Sequence, residues 1–275
     1  MIEYLEDYIS GEKFTDLADF IFGTEICDIK DRQVKDISNI FHSTKNDIII
    51  YCRSNYNYEL INFLNINNIK KNITLINHNS DYNINYQLGG ISRIFAQNVN
   101  IKCENLFSIP IGLENKYNFP EINKISKMKM KLSENRSFKN WVYVNHDVNT
   151  NRSKRLGIYE NFQNNSNFSI VMGRNGQNFE SYIDNIYNHK FVICPEGNGI
   201  DTHRTWECLY MGTIPIEKRN INNSFYEGKL PICFINDWSE IDKQFLEKEY
   251  ERIKSLNYNL ESLTMNFWKN KIKNN

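Results

Sequence analysis

Short apolar runs alternate with stretches of helical periodicity through the second half of the chain, and this alternation constrains the fold more than any other sequence feature. Runs of strand length occupy residues 141–145, 168–172, 191–194, 214–216 and 232–235. Helical patterns lie between or after them at 151–162, 177–189, 202–211 and 240–256. Strands that alternate with helices of this length form a parallel sheet with crossover helices. The sequence therefore predicts an α/β unit here.

The first half shows the same alternation less completely. Residues 47–52 and 73–77 are apolar runs of strand length, and the stretch 56–66 between them fits a helix. Residues 107–111 form another strand candidate, which Pro110 interrupts. Residues 114–138 are Lys-rich and lose the pattern, which predicts a linker.

The predicted fold is α/β with two Rossmann-like domains that face a cleft, the N-terminal one reduced. We expect an acceptor-side domain over residues 1–135 and a donor domain over 136–260. A C-terminal helix over 261–275 is placed to pack back on the first domain. Parallel sheets bind ligands beyond the carboxyl ends of their strands, so the loops after strands are where chemistry is expected.

Charge and hydropathy exclude several classes of protein. Lys+Arg and Asp+Glu both number 33, so the basic excess typical of nucleic-acid binders is absent and we expect no nucleic-acid partner. No apolar run approaches the roughly 18 residues of a membrane span, although peripheral membrane contact stays open. The acidic N-terminus lacks the features of a secretory signal, so we expect a cytoplasmic protein. The six cysteines form no C-x-x-C pair and are expected to be reduced and buried.

The segment 191–216 reads FVICPEGNGIDTHRTWECLYMGTIPI, which predicts a buried strand, a glycine turn, a helix and a second strand. Gly197 and Gly199 allow the backbone to approach a ligand closely. The helix that follows presents free N–H groups and the positive end of its dipole. Arg204 in its first turn could clamp a diphosphate, and Glu207 on the same face could accept hydrogen bonds from a ribose diol. The alternative is a helix with an Arg–Glu surface pair.

Other residues on post-strand loops join the candidate donor site. Arg152 and Arg155 could add positive charge near phosphates, or could belong to a solvated first turn. Arg174 and Lys190 are further cations beside strands, with a plain surface role as their alternative. The full predicted donor-binding set is Asn145, Arg152, Arg155, Arg174, Lys190, Pro195, Glu196, Gly197, Asn198, Gly199, Asp201, Thr202, His203, Arg204 and Glu207.

The pattern C-P-x-G-x-G-x-D-x-x-R-x-W-E-x-L-x-x-G-x-I-P-I resembles the donor-binding motif of exostosin-like glycosyltransferases of GT-B architecture. The resemblance is strong over residues 182–215 and weaker over 74–114. It implies a nucleotide-sugar donor, with UDP-sugar preferred over GDP-sugar, and places Arg204 on the diphosphate and Glu207 on the ribose. The chain is shorter than animal exostosins, so their polymerase activity and Golgi location do not carry over. Glu217 stands where relatives often have an apolar residue.

An inverting transfer needs a base that takes the proton of the acceptor hydroxyl. Asp81 is our first candidate and His78 the second, because both follow a strand of the first half. An Asx turn is the alternative role for Asp81. With Arg204 they form the predicted catalytic set.

No Asp-x-Asp pair occurs in the sequence, and no zinc-ligand spacing is present. We therefore predict metal-independent chemistry without a cofactor, in which Arg204 and a helix dipole stabilise the leaving diphosphate.

The predicted activity is transfer of a hexosyl or pentosyl group to a glycan, glycoconjugate or other hydroxyl acceptor. The alternative is a non-catalytic module that binds nucleotide-sugar or glycan. An NAD-type oxidoreductase is disfavoured because no early G-x-G-x-x-G occurs, and Gly89-Gly90 is the nearest approach.

Overall fold

The computed structural model of the chain describes residues 1–23, 35–115, 123–171 and 178–274. Within these ranges the chain forms two five-stranded sheets in which every strand pair is parallel. The prediction of an α/β fold with two Rossmann-like units is confirmed, and the arrangement is consistent with GT-B architecture.

The first sheet follows chain order. Its strands, in spatial order, are β1 (Phe20–Phe22), β2 (Asp47–Cys52), β3 (Asn72–Asn77), β4 (Arg93–Ala96) and β5 (Leu106–Ser108). The register pairs Cys52 with Asn77, Asn77 with Ala96, and Ala96 with Ser108, so four strands end in line. The connections from β3 to β4 and from β4 to β5 contain no helix, which is how the first unit is reduced.

The second sheet reverses its order. Its strands are β6 (Asn140–Val144), β7 (Phe168–Ile170), β8 (His189–Ile193), β9 (Ile214–Lys218) and β10 (Cys233–Ile235), and their spatial order is β10-β9-β8-β6-β7. The chain moves one way from β6 to β7 and the other way from β8 onward. The boundary between β6 and β8 is therefore a topological switch point, where open α/β sheets bind ligands.

The α-helices within the described ranges include a counterpart of each predicted helix. They are α1 (Ile2–Glu6), α2 (Gly11–Leu17), α3 (Asn57–Ile66), α4 (Lys124–Leu132), α5 (Arg152–Phe162), α6 (Phe179–Tyr187), α7 (His203–Tyr210), α8 (Lys243–Ser255) and α9 (Met265–Asn274). None of them combines the length and the apolar character required to cross a bilayer.

The predicted linker over residues 114–138 is wrong in part, because α4 lies inside it. Ile125, Met128 and Leu132 recur at helical spacing and pack on the core, with Met128 fully buried. Lysines occupy much of the remaining helix surface, and Lys131 pairs with Asp184 of α6 at 2.5 Å. Because lysines alternate with these apolar residues, the composition of the segment does not reveal its apolar face.

The two units share one core. A buried cluster joins Ile76 and Phe95 of the first sheet to Tyr143 and Val192 of the second. Two further clusters draw their buried residues from one unit each, and Ile221 and Phe225 of the second unit pack against the cluster of the first.

The C-terminal helix α9 contacts the beginning of the chain. Its first N–H, that of Met265, donates to the Asp7 carbonyl at 2.9 Å. Near the other end, the Ile272 carbonyl accepts from Arg93 Nη2 at 3.1 Å.

The cysteines agree with the reduced, buried state predicted for them. The described ones, which exclude Cys27, are all free, and only Cys103 is not buried.

Candidate functional site

The glycine turn after β8 lies at the switch point and is held in place by the start of α5. Arg155 Nε donates to the Glu196 carbonyl at 2.7 Å, and its Nη1 donates to the Asp147 carbonyl at 2.9 Å. Asn151 Nδ2 donates to the Gly197 carbonyl at 2.6 Å. Burial, together with the nearby Arg204 cation, lowers the pKa of Arg155 to about 10. Arg155 therefore bonds backbone carbonyls of the turn and of the loop after β6, and its predicted role near phosphates stays a prediction.

The turn is tight, and its second glycine has no room for a side chain. Gly197 N–H donates to the Gly199 carbonyl at 2.9 Å. A Cβ on Gly199 would lie 2.6 Å from Nδ2 of Asn98, which belongs to the first unit. Gly199 thus lets the two units meet, a use of glycine different from the close approach to a ligand that the sequence suggested.

Arg204, Glu207 and Tyr182 form a cluster where α7 packs against α6. Tyr182 Oη donates to Glu207 Oε2 at 2.6 Å, and the Arg204 guanidinium carbon lies 5.5 Å from the centre of the Tyr182 ring. Glu207 is buried and Arg204 half-buried. Within the described ranges, the buried Nη1 atom of Arg204 has no hydrogen-bond partner. A cation with an unfilled donor beside a carboxylate suits a ligand that carries both an anionic group and hydroxyls.

The guanidinium of Arg204 stays protonated in this setting. Burial alone would lower the pKa of the guanidinium, but Tyr182, Cys194 and Glu207 outweigh that effect and raise the pKa above its ordinary value.

His146 is a site residue that the sequence did not single out. It follows β6, stacks on Tyr159 at 4.4 Å between ring centres, and is buried. Burial, with the Arg204 charge second, lowers its pKa to about 3, so the imidazole is neutral. Its Nδ1 atom has no partner among the described residues. Its place directly after a strand, beside Asn145, was the signal available for finding it.

The second half of the glycine motif faces the first unit rather than an open cleft. Asp201 Oδ2 accepts from the Ile111 N–H at 2.7 Å, and Oδ1 accepts from Trp206 Nε1 at 2.9 Å. The Asp201 N–H donates to Asn98 Oδ1 at 2.9 Å. Burial raises the pKa of the Asp201 carboxyl to about 7, although the Ile111 N–H opposes the shift. Asp201 is therefore an inter-unit contact, and Thr202 takes the N-cap position of α7 without a side-chain cap bond.

His203 makes the same kind of contact. Its Nδ1 lies 2.7 Å from the Gly112 carbonyl, and its Nε2 lies 3.2 Å from Glu114 Oε2. Both partners follow β5 of the first sheet. The carboxyl ends of the two sheets therefore meet at the start of α7, and the predicted donor role of His203 has no free ring nitrogen to support it.

The two base candidates are placed very differently. His78 is fully buried, with its Nδ1 2.8 Å from the Asn79 N–H and its Nε2 3.0 Å from the Pro110 carbonyl. Both ring nitrogens are occupied, and burial lowers the pKa to about 4. These contacts exclude His78 as an accessible base. Asp81 is exposed and follows Ser80, whose carbonyl accepts from Asn98 Nδ2 at 2.8 Å.

Lys190 lies outside the site. It belongs to the amino-terminal half of β8, and its ammonium lies 3.6 Å from the Trp141 ring centre and 4.6 Å from that of Tyr250. The carboxyl end of the strand, where the turn begins, is at Ile193. This position gives no support to the prediction of Lys190 as a donor ligand.

The remaining predicted residues take several positions. Arg152 and Asn198 are exposed, Asn145 is buried with Nδ2 3.3 Å from the Val171 carbonyl, and Pro195 is buried in the turn. Glu196 pairs with Lys154 at 3.3 Å. Arg174 lies outside the described residues.

Glu217, the departure from the motif, has a structural role. Its carboxylate accepts from Thr205 Oγ1 of α7 and, at 3.0 Å, from Asn223 Nδ2. Burial raises the pKa of the Glu217 carboxyl. The residue joins the end of β9 to α7 and to the loop that follows β9.

No protein-family model and no curated protein matches this sequence. Among solved structures, the chain is similar to a crystal structure of the GtfA/B complex, a glycosyltransferase complex. The TM-score is 0.38 with 8% sequence identity, and the match covers 85% of this chain and 55% of that one. The chain thus spans about half the length of that neighbour. A similarity this low carries no conclusion about activity, and the narrower resemblance to exostosin-like enzymes remains a prediction from the motif.

Proposed function

We propose that this protein is a glycosyltransferase that moves a sugar from a nucleotide-sugar donor to a hydroxyl of a glycan or glycoconjugate. One observation carries the proposal. Arg204 and Glu207 lie one helical turn apart on α7, beside the glycine turn at the switch point, and the guanidinium keeps a buried nitrogen without a partner among the described residues. A nucleoside diphosphate offers the anion and the hydroxyls that this pair can bind.

In the proposed reaction Arg204 binds the diphosphate and Glu207 the ribose. The acceptor oxygen forms a bond to the anomeric carbon while the bond from that carbon to the diphosphate oxygen breaks. Asp81 takes the acceptor proton, and the configuration at the anomeric carbon inverts. The leaving diphosphate gains charge, which Arg204 stabilises. UDP-sugar is the preferred donor, by the motif resemblance, and GDP-sugar comes next.

We further propose that the reaction needs no metal, because Arg204 supplies the positive charge that a divalent cation would otherwise bring. Transfer is expected to continue at an unchanged rate in EDTA. Loss of turnover in EDTA, with recovery on addition of Mn²⁺, would reject this part of the proposal.

The second candidate is a module that binds the donor without turning it over. The burial of His78 favours it, since one of the two predicted bases is inaccessible. Donor affinity measured together with hydrolysis and transfer distinguishes the two candidates: tight binding with neither reaction supports the module.

Nucleotide binding tests the proposed function directly. In a thermal-shift panel of UDP, GDP, ADP and NAD⁺, we expect UDP to stabilise the fold, by about 2.7 kcal/mol at 100 times its Kd. Arg204→Ala should weaken UDP binding at least about tenfold. Arg252→Ala, which removes a surface cation paired with Glu249 on α8, is the matched control and should leave the affinity unchanged. Stabilisation by NAD⁺ alone, or by none of the four, would refute the proposal.

A further inference from the structure

Arg204 and Glu207 do not pair with each other, although they stand three residues apart on α7. At this spacing two opposite charges on a helix ordinarily attract and interact. Glu207 instead accepts a hydrogen bond from the Tyr182 hydroxyl at 2.6 Å, and within the described ranges the buried Nη1 atom of Arg204 has no hydrogen-bond partner.

Tyr182 contacts both charges from a different helix. Its hydroxyl engages one carboxylate oxygen of Glu207, and its ring faces the guanidinium of Arg204 at 5.5 Å. A guanidinium over the face of a phenol ring is attracted to it. Burial raises the pKa of the Tyr182 phenol, so the hydroxyl keeps its proton and acts as the donor.

Arg204 and Glu207 each keep a hydrogen-bonding atom that a ligand can engage. The Tyr182 bond engages Oε2 of Glu207 and not Oε1, and within the described ranges Nη1 of Arg204 donates no hydrogen bond. A direct ion pair between Arg204 and Glu207 would fill both atoms.

We propose that Tyr182 is a positioning residue that keeps Arg204 and Glu207 apart, so that the cation stays available to a diphosphate and the carboxylate to the ribose of the same nucleotide. This inference rests on the proposed function. The Tyr182 hydroxyl holds Glu207, which would bind the ribose. The Tyr182 ring holds Arg204, which would bind the diphosphate.

Two substitutions separate the halves. Tyr182→Phe keeps the ring over Arg204 and removes the hydroxyl that fixes Glu207. Tyr182→Leu removes both and lets Arg204 and Glu207 form an ion pair. The probes are UDP and inorganic pyrophosphate, which lacks the ribose, with affinities measured by calorimetry.

We expect Tyr182→Phe to weaken UDP about tenfold, the scale of one charge-assisted hydrogen bond, and to leave pyrophosphate affinity unchanged. Tyr182→Leu should weaken both probes. The matched control is Tyr187→Phe on the same helix, which removes a hydroxyl bonded to the Glu134 carbonyl at 2.9 Å. This control should lower the melting temperature and leave both affinities unchanged.

The outcomes are distinguishable. Wild-type protein that binds neither probe would overturn the proposed function and this inference with it. Wild-type binding with an unchanged UDP affinity in Tyr182→Phe would overturn the inference alone. Equal weakening of UDP and pyrophosphate in Tyr182→Phe would show a general structural role and would also overturn it. If Tyr182→Leu does not fold, the Phe and control variants still decide the question.

Discussion

At the residue scale, two arginines of the candidate site make different kinds of contact. Arg155 donates to the Glu196 carbonyl of the glycine turn and to the Asp147 carbonyl of the loop after β6, whereas Arg204 keeps a donor without a partner among the described residues. Both arginines lie on helices that follow a strand, so the sequence alone does not distinguish their roles. The difference arises from which backbone oxygens the tertiary fold brings within 3 Å.

Burial of His78 predicts a pH-dependent term in stability. Its folded pKa is about 4 and its ordinary value is 6.5, so between these pH values the unfolded chain binds a proton that the folded chain does not. The His78 contribution is thus fully present above pH 6.5 and is lost as pH falls toward 4. Its slope is at most about 1.4 kcal/mol per pH unit.

Other buried groups titrate in the same window, so the measurement is a difference. His146 acts in the same direction as His78, and Asp201, whose pKa is raised to about 7, acts in the opposite one. Urea unfolding of wild type and His78→Gln at several pH values isolates the term. We expect the variant to lose less stability on acidification, and parallel profiles for the two proteins would contradict the assignment.

Asp81 gives a kinetic prediction. Asp81→Asn removes the basic oxygen and keeps the shape, so we expect turnover to fall by roughly 10²–10⁴-fold with donor affinity unchanged. Because Asp81 is exposed, stability should change by less than about 0.5 kcal/mol. Initial rates with a radiolabelled donor measure the effect, and transfer at the wild-type rate would exclude Asp81 as the base.

At the element scale, periodicity predicts the helices whose apolar stripe is uninterrupted. It does not predict contacts that form only when distant elements pack together. The helix predicted over 177–189 is α6 (Phe179–Tyr187), because its apolar stripe has helical spacing and Asn178 caps it by accepting from the Ser181 N–H. Helix α4 is missed because lysines interrupt its stripe. Tyr182 counts as one more apolar member of the α6 stripe until α7 packs beside it. Asp201 resembles a cap until the Ile111 N–H reaches it, a contact across 90 residues.

The glycine turn yields a stability prediction. Gly199→Ala places a methyl against Asn98, whose side chain is bonded to both the Ser80 carbonyl and the Asp201 N–H and so resists displacement. We expect a loss of about 1–3 kcal/mol in the free energy of unfolding. Gly157→Ala in α5, with open space around it, should instead stabilise by about 0.5–1 kcal/mol. Denaturant melts compare the two, and equal effects would argue against crowding at Gly199.

At the scale of the whole molecule, the two sheets meet through the loops at their carboxyl ends and through a shared core. The fold class could be predicted because alternation of strands and helices is local information. The meeting of the sheets could not, since it depends on pairs such as Asp201–Ile111 and His203–Glu114 that lie far apart in the chain. The glycine turn remains the predicted place of the site, and the structure adds which of its residues make contacts between the two units.

Asn222 predicts how tightly the units are joined. Its Oδ1 atom, on the loop after β9, accepts from the Val99 N–H at 2.9 Å and from Ser108 Oγ at 3.0 Å in the first unit. Asn222→Ala leaves both buried donors without this acceptor and should cost about 1–3 kcal/mol. Asn198→Ala, at an exposed position, should cost less than about 0.5 kcal/mol. Thermal unfolding checks both, and similar values for the two variants would refute the prediction.

The contact between α9 and the first sheet has a consequence for biosynthesis. A ribosome makes the chain from its amino end, so Arg93 emerges nearly 180 residues before the Ile272 carbonyl that it binds. Until α9 is made, the apolar surface against which Trp268 and Ile272 pack stays exposed on that side. Nascent domains generally fold in order of emergence, and exposed apolar surface promotes aggregation. The first unit of this protein therefore begins folding early but completes its packing only after α9 has been translated.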